Sequence, residues 1–298
     1  MVNEIKTVAV IGAGVMGKQI ASWTALYDYN LRIYDINPEA MEAMREYIER
    51  YFKPEDVKGK SELLRKITYH NNLPEAVENA DLIIESVPED LKLKKKVFSQ
   101  IDKAAPPHAI IATNSSSIPV SKIEEAVKRK DKALNIHFYP PINLRPMVDI
   151  MGGRETSDET LEKGKAWIES IGCVPLVVLK ECLGFVFNRV WRAVKKECLK
   201  IWAEGNADFE DVDRGWRIFT GMNMGPFAMM DGVGLDVVYD VEKSYYKESG
   251  NPDDKPPQAL KDKIDRGELG LKAGKGFYDW TGSLDFTSPD FIKPKKEK

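Results

Sequence analysis

Residues 8–17 read "VAVIGAGVMG". An apolar run rich in valine and isoleucine leads without interruption into Gly12, Gly14 and Gly17, spaced G-x-G-x-x-G, and "VMGKQIASWTALY" follows with a composition that suits a helix. Glycines on their own make turns. Placed after a strand and at the start of a helix they do more: the first permits a tight turn, the second lets the backbone approach a pyrophosphate, and the third allows close helix packing. The helix N-terminus then faces the anion. A second apolar run, "LRIYD", closes on Asp35 at the offset expected of an acid that binds a ribose 2′-hydroxyl. An acid there repels a 2′-phosphate, and the next residues, Ile36 and Asn37, supply no arginine to accept one. The expected cofactor is therefore NAD rather than NADP.

Outward from this stretch the β-branched runs recur as "KITYH", "ADLIIESV", "AIIATN", "KALNIHF" and "CVPLVVL", alternating with helical segments. Such alternation predicts an α/β fold with a Rossmann-like, mostly parallel sheet. From Leu183 the pattern turns helical, and in "GFVFNRVWRAVKKECLKIWAEG" the residues Phe185, Val186, Val190, Val194, Cys198 and Ile201 recur at helical spacing. The expected division is a nucleotide-binding domain over residues 1–182 and an all-helical domain over 183–298. One crossover, residues 38–67, holds two helical stretches where one would suffice. It either protrudes to touch a ligand or is a longer connection. The closing "KPKKEK" is a solvated charge run.

A chain of 298 residues exceeds the usual single domain, which agrees with two. Its formal net charge of −3 argues against a nucleic-acid partner, so an anionic ligand has to be held by local groups. Cys173, Cys182 and Cys198 are odd in number and lack metal-ligand spacing, so no metal is expected. The amino terminus enters a strand without a signal peptide, and no apolar run approaches the roughly 20 residues that span a bilayer. A reduced, cytoplasmic protein without a membrane partner is expected.

Of three histidines, His137 in "NIHFYPP" ends a late strand of the first half, on the carboxyl edge where open α/β sheets bind ligands. An enzyme that oxidises an alcohol with a nicotinamide needs a base for the hydroxyl proton, and imidazole is suited to that near neutral pH. His70 and His108 fall at an edge strand and in a turn, where surface roles are expected.

The order of landmarks, from "VAVIGAGVMG" through "ESVPEDLKLKKKVF", "TNSSSIP", "IHFYPP", "GFVFNR" and "MGPFAMMDGVGLD" to "GLKAGKGFYDW", resembles the 3-hydroxyacyl-CoA dehydrogenase family over nearly the whole chain. The resemblance implies hydride transfer to NAD from the 3-carbon of a hydroxyacyl thioester, a small-molecule substrate, and a helical domain that carries a homodimer interface. By the same resemblance His137 is the base and Asp149, twelve residues on, orients it. Ser116 and Asn188 hold the substrate oxygen, and Glu89 and Lys94, with Asn114 of the "TNSSSIP" stretch, join Gly12, Gly14, Gly17 and Asp35 at the cofactor.

Three departures bear on the substrate. The family usually has glutamate where this chain has Asp149, a loss of about 1.5 Å of reach, and asparagine where it has Pro140. The stretch "NLRPMVD" is closer to relatives of the gulonate dehydrogenase type, which act on small hydroxy compounds without CoA. A short-chain substrate such as 3-hydroxybutyryl-CoA is favoured, gripped by Lys53, Lys58 or Lys60. The alternative is a free hydroxy or sugar acid paired with Arg145. A third reading, a dinucleotide-binding protein that catalyses nothing, gives no purpose to a retained His137, Asp149, Ser116 and Asn188.

Overall fold

A computed structural model describes residues 5–51 and 60–282. The chain divides into two compact units, Met1–Phe187 and Asn188–Lys298. Among the described residues of the first unit, eight strands form one sheet: β1 (Thr7–Ile11), β2 (Asn30–Tyr34), β3 (Ile67–His70), β4 (Leu82–Glu85), β5 (Ile110–Thr113), β6 (Ala133–Phe138), β7 (Met147–Gly152) and β8 (Val174–Val178). Their order is β3-β2-β1-β4-β5-β6-β7-β8. The first six are parallel, the order of a Rossmann sheet, and the single antiparallel pairing joins β6 to β7.

Both faces of this sheet are covered, which explains the unbroken apolar runs. In β1, Val8 and Val10 enter one apolar cluster with Leu31, Ile33 and Trp167, while Ala9 and Ile11 enter another with Ile83, Phe98 and Ile101. The period of two sends alternate side chains to opposite layers, and each fully buried leucine or isoleucine contributes about 1.5–3 kcal/mol. Helices α1 (Val15–Thr24), α2 (Pro38–Tyr51), α3 (Lys60–Arg65), α4 (Leu73–Val77), α5 (Leu91–Ala104) and α6 (Asp158–Ser170) connect the strands. The doubled crossover is thus α2 and α3, with residues 52–59 between them outside the described set. Lys53 and Lys58 fall there, and the Lys60 side chain is likewise undescribed.

The second unit is helical: α7 (Phe187–Ala203), α8 (Phe209–Thr220), α9 (Pro226–Val233), α10 (Leu235–Ser249) and α11 (Gln258–Asp265). Its core gathers Cys198, Leu199, Phe227, Met230, Leu235 and Phe277. The face expected for α7 needs correction at its start. Phe185 and Val186 precede the helix, and Phe185 takes a left-handed φ of +52° and packs with Met151 and Val178 of the sheet. Val190, which shares that helical spacing, is 60% exposed.

Candidate active site

Strand order reverses between β1 and β4, and the crevice beyond their carboxyl ends opens into a cavity of about 920 Å3. Gly12 sits at φ +111°, and a Cβ there would meet the Ser86 carbonyl oxygen at 2.6 Å; one on Gly17 would meet the Gly12 carbonyl oxygen at 1.9 Å. These two glycines let the loop fold against β4 and α1 against the loop. At Gly14 an added Cβ would meet nothing within 4 Å, so the backbone there faces open space. Gly14 is the N-cap of α1 without a side-chain hydrogen bond, and Gly14, Val15 and Met16 line the cavity. An uncapped helix start beside an open backbone fits a pyrophosphate. Asp35, the first residue past β2, lines the same cavity; its Oδ2 accepts from the Ala13 amide at 2.6 Å and its Oδ1 from the Asn37 amide at 2.8 Å. These residues fit a dinucleotide whose ribose meets an acid.

Further along the cavity an ammonium is sealed into the protein. Lys94 is 1% exposed and donates to Glu85 Oε1 at 2.8 Å and to the Val87 carbonyl at 3.2 Å, with Glu89 Oε2 at 3.3 Å. Glu85, at the end of β4, also accepts from Thr113 at 2.7 Å and from the Val87 amide at 2.7 Å. A buried charge survives when it is paired and hydrogen-bonded, and Glu85, absent from the sequence expectations, supplies the pairing. Burial pushes the Glu89 carboxyl up, but donors on Ser115 and Ser117 and the Lys94 ammonium outweigh it and hold the group below its ordinary value. Glu89 and Lys94 both line the cavity. Asn114 lines it too, and its side-chain oxygen accepts from the Phe138 amide at 2.9 Å, tying β5 to the end of β6.

His137 lies on that end. In β6, Leu134, Ile136 and Phe138 point into one apolar cluster, which turns His137 to the opposite face. The antiparallel register sets Asp149 directly across from it. His137 Nδ1 lies 3.4 Å from Asp149 Oδ2, and the other ring nitrogen is left for a ligand. The same Oδ2 accepts a hydrogen bond from the Tyr139 hydroxyl. Phe185 stacks on the imidazole with centroids 5.1 Å apart and planes at 9°, while Tyr139 meets it edge-on at 4.6 Å. The imidazole is thereby held on three sides and opens on the cavity, which Ser116, exposed, also lines.

Within the first unit the structure therefore gathers Gly12, Gly14, Asp35, Glu89, Lys94, Asn114, Ser116 and His137 on one cavity, with Asp149 directly behind His137 and Gly17 behind the loop. Asn188 opens the second unit, half-buried in the first turn of α7. Arg145 is exposed and donates to the Pro140 carbonyl at 2.7 Å. Sequence reasoning missed Glu85, Tyr139 and Phe185. For Glu85 a signal existed: a charge at the end of an all-apolar strand run demands a buried partner.

Residues 7–182 match the family described as 3-hydroxyacyl-CoA dehydrogenase, NAD binding domain, and residues 184–280 match the corresponding C-terminal domain. The chain is 33% identical over 283 residues to a probable 3-hydroxybutyryl-CoA dehydrogenase of Bacillus subtilis, covering 93% of this chain and 98% of that one. It is 31% identical to the 5-formyl-3-hydroxy-2-methylpyridine 4-carboxylate 5-dehydrogenase of Mesorhizobium japonicum, covering 93% and 91%. A solved diketoreductase superimposes with a TM-score of 0.84 at 34% identity, covering 93% of this chain and 99% of that one.

Proposed function

Since the chain belongs to the 3-hydroxyacyl-CoA dehydrogenase family, a group of NAD-dependent oxidoreductases, we propose that it interconverts a short L-3-hydroxyacyl-CoA, such as 3-hydroxybutyryl-CoA, and its 3-keto form with His137 as the base. The observation that carries this reading is the pairing of His137 with a fully buried carboxylate, Asp149, at the wall of the crevice that fits the dinucleotide. NAD, when bound, would supply the hydride acceptor for the alcohol carbon. His137 takes the hydroxyl proton through the ring nitrogen turned away from Asp149, and the carboxylate fixes the tautomer and stabilises the imidazolium. Ser116 donates to the oxygen as it gains carbonyl character, and returns that help to a developing alkoxide in the reverse direction. Gly14 admits the pyrophosphate on a loop whose packing Gly12 and Gly17 allow, Asp35 binds the ribose, and Glu89, Lys94 and Asn114 shape the nicotinamide end.

A homodimer is part of the same reading: Ile218 and Phe219 on α8 are 63% and 92% exposed in the isolated chain, an apolar pair suited to a partner helix. A reduced, cytoplasmic setting accords with three free cysteines, of which Cys173 and Cys198 are buried.

The competing substrate is a free hydroxy acid. It is favoured by two relatives named for compounds without CoA, one for a pyridine carboxylate and one for dicarbonyl compounds. Arg145 touches the carbonyl of Pro140, a residue of the cavity wall. The test is NADH consumption across acetoacetyl-CoA and free keto acids, repeated in Arg145→Met. The CoA reading expects turnover of the thioester and a modest KM change in the variant. The free-acid reading expects turnover of the keto acid alone and a loss of about 2–5 kcal/mol in its recognition on removing the guanidinium.

A further inference from the structure

We propose that Tyr139 is a positioning residue of this reaction, its hydroxyl holding the Asp149 carboxylate in place behind the imidazole; the inference rests on His137 being the base. Asp149 is fully buried, and its Oδ1 has no hydrogen-bond partner among the described residues. Its Oδ2 is shared between the Tyr139 hydroxyl and His137 Nδ1, and the imidazole contact of 3.4 Å lies beyond the usual N–H···O range. So long a bond does little to keep a buried anion in one orientation. The phenol is the close donor, and it comes from the residue two places after His137, where the chain leaves β6.

The shorter side chain explains why a second donor is needed. An aspartate at this register leaves 3.4 Å to Nδ1, and the Tyr139 hydroxyl stands against the same oxygen, Oδ2. That hydrogen bond restrains the carboxylate about its terminal torsion, and Oδ2 stands ready when Nδ1–H becomes part of an imidazolium. Tyr139 also meets the imidazole edge-on at 4.6 Å, opposite in function to the face contact from Phe185 at 5.1 Å: one fixes the ring's position in its plane, the other its tilt. Tyr139, unlike His137, does not line the cavity, and its hydroxyl donates to Asp149, so it acts on the carboxylate rather than on the ligand. Loss of the hydroxyl should therefore fall on the proton-transfer step and spare binding.

The experiment is a cycle of Tyr139→Phe, Asp149→Glu and the double variant in the 298-residue chain, with kcat and both KM values measured for acetoacetyl-CoA and NADH. NADH fluorescence titration checks that each variant is folded. Tyr139→Phe is expected to lower kcat about tenfold, the scale of losing a group that orients a catalytic partner, with both KM values changed by no more than about twofold. Asp149→Glu alone drives the longer side chain against the phenol and loses as much. In the double variant the missing hydroxyl admits the extra methylene, the glutamate reaches Nδ1 directly, and kcat returns to within about threefold of the wild type, a strongly non-additive cycle. Additive losses in the double variant, or wild-type kcat in Tyr139→Phe, overturn the proposal. His137→Ala, run alongside, separates the two levels: if it keeps its turnover the base assignment itself falls, whereas an inactive His137→Ala beside an unaffected Tyr139→Phe removes only the role of Tyr139.

Discussion

Each unit of this protein buries acidic side chains inside conspicuous motifs, and the two sets differ in what they hold. In the first unit Glu85 grips Lys94 and Thr113, and Asp149 takes Tyr139 and faces His137. In the second, Asp213 of α8 accepts from the Phe227 and Ala228 amides at the start of α9, and Asp231 accepts from the Phe277 and Tyr278 amides and the Trp280 indole. One set aims side chains at a cavity; the other staples backbone, capping a helix from outside and pinning the "GKGFYDW" turn. Gly276 shows how tight the second kind is, since a Cβ there would meet Asp231 Oδ1 at 2.1 Å. Motif prominence alone therefore does not separate chemistry from architecture, while the partners of the carboxylates do.

The strongest blow to this contrast is His137→Ala. Removing a general acid/base is expected to cut turnover about 10²-fold or more and to leave NADH binding and folding close to wild type, measured by steady-state rates and calorimetry. Near wild-type turnover in a folded variant would put the Asp149 group in the architectural class with Asp213.

The next effect belongs to the second unit and is read in stability. Burial pushes the Asp213 carboxyl up from 3.8 to about 6, against the pull of its amide and phenol donors. A raised carboxyl pKa means the folded state binds the proton more tightly than the unfolded chain. That contribution is whole below pH 3.8 and is lost as pH rises through about 6. The loss amounts to about 3 kcal/mol, two units at 1.36 kcal/mol each. Urea unfolding of the wild type and Asp213→Asn at several pH values between 4 and 7 isolates it, because the difference between the two cancels the other titrating groups. The wild type should fall relative to the variant as pH rises, and parallel profiles would mean that the donors offset the burial in full.

Much of the first unit was legible because its physics is local. Seven strands announced themselves as apolar runs, and the glycine loop, Asp35 and His137 followed from where a strand must end. Strand β7 did not announce itself, and the reason is Asp149. A charge in the middle of "MVDIMG" breaks the apolar pattern, and its burial is tolerable only because Tyr139 and His137 stand beside it, which spacing along the chain does not reveal. The residue that matters to the site hid the strand that presents it. Phe185 was hidden differently: its spacing continues the apolar face of α7, but a left-handed backbone turns it out of the helix and onto His137. The roles of Asp213 and Asp231 were illegible for the same reason as Tyr139, since their partners lie 14 to 65 residues away.

Asp35 makes the smallest test and the sharpest, because it belongs to both sets. Like Asp213 it accepts backbone amides, from Ala13 and Asn37; like Glu89 it lines the cavity. If its main work is to read a ribose, Asp35→Ser should narrow the preference for NADH over NADPH by about tenfold, since the charge that repels a 2′-phosphate is gone. Serine retains one oxygen and can keep at most part of the Ala13 and Asn37 contacts, so some rise in KM for NADH is expected as the glycine loop loosens. Comparing kcat/KM for the two nucleotides, with unfolding midpoints from the same samples, weighs one role against the other. A variant that loses stability while its cofactor ratio stays fixed would class Asp35 with the staples. A wild type that uses NADPH as readily as NADH would end the ribose reading altogether, because a carboxylate held on two amides at the mouth of the crevice would then be repelling nothing.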